Sequence, residues 1–159
     1  MSGLSRTLWS FVMAVVLVAL IGAVLQTQYN LAMLEALGAP VPLEVRLQTT
    51  GLDLLGFAPV FAILVTFGFA LALPLATLVS KLLPALHWLV FALAGALAIF
   101  TALCAVNAAL PMPTFIGANR SLDGTLGLML CGALGGLLYD KLRCAPVHAS
   151  QGITHEKSA

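Results

Sequence analysis

The chain has 159 residues, of which 61% are hydrophobic and 8% charged, with a formal net charge of +1 and a mean hydropathy of +1.07. Soluble domains carry roughly 25% charged residues, so seven basic and six acidic side chains cannot clothe a water-soluble surface of this size. A near-neutral balance also supplies no basic field for a polyanion, which argues against nucleic acid as a partner.

A membrane-spanning helix needs about 20 predominantly apolar residues. Four runs qualify: 8–27, 54–79, 85–110 and 122–139. Ser5 and Arg6 ahead of the first run have the look of a secretory leader. The run is as long as a full span, however, and Gly22-Ala23 leads into Val24-Leu25-Gln26 rather than a small-x-small cleavage site. It reads as a retained helix over about 8–29, closing on Gln26, Thr27, Gln28, Tyr29 and Asn30.

The stretch from 28 to 53 reads as the one long connection. Leu31 to Leu37 predicts a short interfacial helix ended by Gly38 and Pro40. From Val41, apolar Val41, Leu43, Val45 and Leu47 alternate with Pro42, Glu44, Arg46 and Gln48, a strand-like period. With no second strand to pair with, this predicts an extended segment across the bundle mouth. Thr50-Gly51-Leu52-Asp53 matches a capping box and places the second helix over 52–79, where Pro59 and Pro74 predict a kink.

Ser80 to Pro84 reads as a turn, with Pro84 suited to a first helical position. The third helix then covers 85–110, stopped by Pro111 and Pro113. Ser121 and Asp123 can cap a fourth helix over 122–142. Residues 1–144 thus form one membrane domain, and 145–159 a polar cytoplasmic tail without structure.

The expected fold is an all-α integral membrane protein with four transmembrane helices in an antiparallel bundle and a longer outer loop between helices 1 and 2. Placing the N-terminus inside puts Arg6, Lys81, Lys141, Arg143 and Lys157 on the cytoplasmic side and only Arg46 and Arg120 outside, as the positive-inside rule requires. Both termini are then cytoplasmic. The alanine- and leucine-rich composition suggests a bacterial chain, hence the inner membrane and contact with its lipids.

Lipid offers no hydrophobic drive for helix association, so small residues must let backbones approach. Gly132 and Gly136 form a GxxxG on the fourth helix, and Ala92, Ala94, Ala96 and Ala98 line the third. Packing within the chain is the favoured use of these positions, with a homo-oligomer as the alternative.

Polar chemistry gathers at the outer helix ends. Gln26, Gln28, Asn30, Arg46, Asp53, Asn119, Arg120 and Asp123 form the candidate ligand-binding set, since two arginines can grip a phosphate or carboxylate. The simpler expectation is that they cap helices and pair locally, Arg46 with Asp53 and Arg120 with Asp123. Asn119-Arg120-Ser121 also spells a glycosylation sequon, which we read as chance.

No catalytic residues, metal site or cofactor are predicted. Cys104, Cys131 and Cys144 lack CxxC spacing, His87, His148 and His155 lack ligand spacing, and no ionisable group lies mid-span. Asp140 reads as an ordinary interfacial helix end. The favoured function is a non-enzymatic subunit, anchor or modulator of a membrane complex. The alternative is binding or transport of a lipid, quinone or other small amphiphile at the outer mouth. An enzyme using Asp53 or Asp123 as acid–base group ranks third.

Overall fold

The computed structural model describes residues 3–109 and 116–144. It is all-helical. Helix α1 covers Gly3–Ala36, α2 Leu43–Leu82, α3 His87–Ala109 and α4 Leu122–Cys144. Single 3-10 turns, Pro84–Leu86 and Gly117–Arg120, precede α3 and α4. All four long helices are apolar enough to cross a membrane. Pro111, Pro113 and the tail from 145 lie outside the described residues.

The structure departs from the sequence expectation most between the first two helices. There is no long outer loop: α1 runs unbroken through the supposed interfacial helix, and only 37–42 separate it from α2. Nothing in Leu31 to Ala36 breaks a helix, so α1 continues until Gly38 adopts φ +86°. There the Gly38 amide donates to Glu35 O and the Ala39 amide to Leu34 O, the paired bonds of a Schellman stop.

The segment expected to be extended is the start of α2. Its helical bonding begins with the Arg46 amide donating to Pro42 O at 3.1 Å. A lone strand would leave its ladder groups unpaired, whereas a helix satisfies them internally. Thr50-Gly51-Leu52-Asp53 is therefore no helix start. It lies inside α2, where the Thr50 hydroxyl donates to Arg46 O at 2.7 Å.

Pro59 and Pro74 also sit within α2, both on its exposed side. At the far end α2 persists to Leu82, so the expected turn from Ser80 shrinks to Leu83 and the Pro84 3-10 turn. α4 does begin as its residues suggest, with the Gly124 amide donating to Ser121 Oγ at 3.1 Å.

α1 packs on α2 and α4, and α3 packs on the same two helices. Phe61, Phe69, Phe91, Leu73, Ile99, Leu103 and Leu128 fill the centre, all essentially inaccessible. Glycines set how near the helices come. A Cβ added at Gly95 of α3 would strike Gly132 O, and one at Gly132 would strike Gly95 O. One at Gly136 would strike Phe91 O. Gly22 makes room for the Phe61 ring, and Gly135 for Val18 and Phe69. The outward face is a belt of large apolar side chains such as Leu55, Phe67, Leu71 and Leu130.

The helices are unequal. α1 has 34 residues and α2 has 40, against 23 each for α3 and α4. The Gly117–Arg120 turn packs on α1 at the level of Gln26 and Asn30, and both α1 and α2 run on beyond it. Beyond Asn30, α1 has the six residues 31–36, so at 1.5 Å per residue the hairpin projects roughly 9 Å.

Candidate functional site

The hairpin is held by its own polar residues. On α2, half-buried Arg46, Thr50 and Asp53 form a stripe at helical spacing that continues into buried Phe61, Val65, Phe69 and Leu73. This stripe faces α1. Arg46 Nη1 donates to Gln28 Oε1 at 2.7 Å, and Arg46 Nη2 donates to Glu35 Oε1 at 2.8 Å. Gln28 Nε2 in turn donates to Thr50 Oγ1 at 3.2 Å. One turn deeper, the fully buried Thr27 hydroxyl lies 2.7 Å from Asp53 Oδ2 and 2.9 Å from Ala23 O, sharing one proton between them.

Arg46 therefore pairs with Glu35 and not with Asp53. Positions 46 and 53 are two turns apart on one helix, about 10 Å, while Glu35 arrives opposite Arg46 from α1. The remaining predicted residues serve the base of the fourth helix. Gln26, 5% exposed, accepts the Ala118 amide proton on Oε1 at 2.7 Å. Asn30 Oδ1 lies against Gly117, where a Cβ would collide with it. Asn119 Oδ1 accepts from the Thr125 hydroxyl at 2.9 Å. Asp123 is exposed in the first turn of α4, and Arg120 is exposed at the end of the 3-10 turn.

The structure thus brings Gln28 and Arg46 together, sets Asp53 on Thr27, and sets Gln26 and Asn30 on residues 117–118. Arg46→Ala should lower global stability by no more than about 1 kcal/mol, since its ion pair is partly exposed (29% and 44%). It should, however, speed amide exchange selectively in 31–47. Uniform destabilisation across all four helices would contradict this local role.

The opposite end holds a cluster that sequence reasoning passed over. Asp140, near the end of α4, is 4% exposed rather than a solvated helix end. Its Oδ2 lies 3.3 Å from His87 Nε2 at the start of α3, and Cys144 Sγ lies 3.7 Å from Oδ1. Arg143 reaches α2, donating to Thr77 Oγ1 at 2.8 Å. Its guanidinium rests over Phe91 and Tyr139, 5.3 and 5.7 Å from the ring centroids, a cation–π arrangement. The available signal was topological: helices 3 and 4 joined as neighbours put the start of one beside the end of the other.

Between α2 and α3 runs an outward-opening groove of about 580 Å³, floored by small residues including Gly68, Ala72, Ala76, Ala94 and Ala98. A smaller recess of about 250 Å³ lies further along the same seam, against Phe57, Phe61, Val106 and Ile116. Among the described residues no group of three or more His, Cys, Asp and Glu is placed to hold a metal ion. No family model matches the chain, and no curated protein or solved structure matches it.

Proposed function

We propose that this small membrane protein is a non-enzymatic subunit of a larger membrane complex, attached through the tip of the α1–α2 hairpin. One observation carries the reading. The hairpin runs past the level where the fourth helix begins, yet its tip still displays Leu34, Leu37, Leu43 and Leu47 at 47–84% exposure. At 1.5 Å per residue α1 and α2, with 34 and 40 residues, are about 50 and 60 Å long, so in this proposal their joined ends lie clear of a hydrocarbon core about 30 Å thick. An apolar tip of that kind is a contact surface for another protein.

The hairpin's polar residues support the same role, because they hold the two helices to each other. Binding a headgroup or quinone at Arg46 is the weaker reading, since its guanidinium is already engaged by Gln28 and Glu35. In this proposal the four helices alternate in direction across a bacterial inner membrane. The hairpin then points outward and both termini lie in the cytoplasm, following the distribution of basic residues.

Extraction from native membranes in mild detergent tests the proposal. The chain should co-purify with a different protein at fixed stoichiometry. Leu37→Asp combined with Leu43→Asp should abolish that association while leaving helical content unchanged. Recovery of the chain alone, or only as copies of itself, would overturn the proposal.

A further inference from the structure

The His87 ring is placed between two oxygen atoms that can only accept hydrogen bonds. Nδ1 lies 3.1 Å from Pro84 O, and Nε2 lies 3.3 Å from Asp140 Oδ2. A neutral imidazole carries one proton, on Nδ1 or on Nε2, so it can donate to Pro84 O or to Asp140 Oδ2 but not to both. The bare nitrogen then turns a lone pair toward an oxygen, which repels it. With both nitrogens protonated, both contacts become hydrogen bonds and the one to Asp140 is an ion pair as well.

We infer that His87 and Asp140 form a protonation-dependent clasp between the first turn of α3 and the last turn of α4, tightened by imidazolium and loosened by imidazole. Asp140 is the fixed half of this device. Its side chain is 6% exposed, whereas that of His87 is 48% exposed. Among the described residues, the other charged or titratable groups at this end are Tyr139, Lys141, Arg143 and Cys144 on α4, Lys81 on α2 and Arg6 on α1. Arg143 is engaged by Thr77 and two aromatic rings, and Cys144 contacts the second Asp140 oxygen.

The pairing is strongest when the ring is protonated and weakens as the ring loses its proton. The clasp lies at the end opposite the hairpin tip, so it would couple proton concentration on that side to the splay of α3 from α4.

Amide exchange of the purified full chain, corrected for intrinsic rates, tests this at about pH 5.5 and about pH 8. A His148→Gln, His155→Gln background removes the other two histidines. Residues 84–90 and 139–144 should exchange about two- to fivefold faster at the higher pH, the range expected of a partly exposed ion pair. His87→Gln should abolish that difference, and so should Asp140→Asn. Nitrogen NMR of the His87 ring gives a reading without any substitution at the clasp. It should show both nitrogens protonated at low pH, and one of them should lose its proton in step with the change in exchange. Exchange independent of pH in the parent, or a pH response that survives His87→Gln, would overturn the inference.

Discussion

Gly132→Ala should be among the most damaging single-methyl changes in this protein, costing about 3 kcal/mol, the upper part of the range for overpacking a close contact. The physical reason is what the new methyl meets. At Gly132 it would strike the Gly95 carbonyl oxygen and the Ile99 side chain, and a carbonyl in a helix cannot turn aside without breaking its own hydrogen bond. The α3–α4 pair must separate instead, and its packing is lost along the whole seam. Gly95→Ala and Gly136→Ala meet Gly132 O and Phe91 O and should behave alike.

Two glycines elsewhere calibrate the effect. A methyl at Gly127 meets only the Leu25 side chain, which can rotate, and one at Gly56 meets nothing within 4 Å. Gly127→Ala should be mild. Gly56→Ala should gain stability by up to about 1 kcal/mol from helix propensity alone. Thermal unfolding of the five variants in one detergent reads the order. Equal effects at Gly56 and Gly132 would show that α3 and α4 do not meet through this seam.

Gln26→Met should cost about 1–3 kcal/mol by a different route. The substitution keeps an unbranched side chain of similar bulk but removes the oxygen that accepts the Ala118 amide proton. Ala118 is fully buried, so its N–H would lose its partner without gaining water, the expensive way to lose a hydrogen bond. The 3-10 turn at Gly117–Arg120 should loosen from α1, with faster exchange at the Ala118 amide and a lower melting temperature. Unchanged exchange at that amide would rule out the contact as an anchor. Gln26→Glu retains an acceptor oxygen and should hold the turn better than Gln26→Met.

These two expectations differ in how far the residues announced them. Gly132 and Gly136 were conspicuous in the sequence, because glycines four apart on an apolar helix are rarely idle. Their partner, the Gly95 backbone, was not, since one glycine among the alanines of the third helix carries no mark of its own. Gln26 was legible as a polar residue at the end of a span. That it would serve Ala118, 92 positions away, was not. The Asp140 cluster was missed for a related reason: Tyr139-Asp140-Lys141 has the ordinary composition of an interfacial helix end, and only the arrival of His87 from α3 changes its meaning.

Four long apolar runs, broken by prolines, glycines and polar groups, were enough to determine an all-helical chain with four helices of membrane-crossing length. A backbone among so few polar side chains must satisfy its own hydrogen bonds, and a helix does that within one segment. The sequence by itself did not determine where α1 and α2 end. Eight alternating residues from 41 to 48 satisfy a strand template on local grounds, and only the lack of a partner strand together with the facing surface of α1 makes them helical. Nor did it determine which polar groups pair. Arg46 meets Glu35 rather than Asp53 because α1 and α2 extend together past the bundle with a particular rotation between them. Close-packed contacts such as Gly22 with Phe61 set that rotation, and it leaves no trace in spacing along the chain.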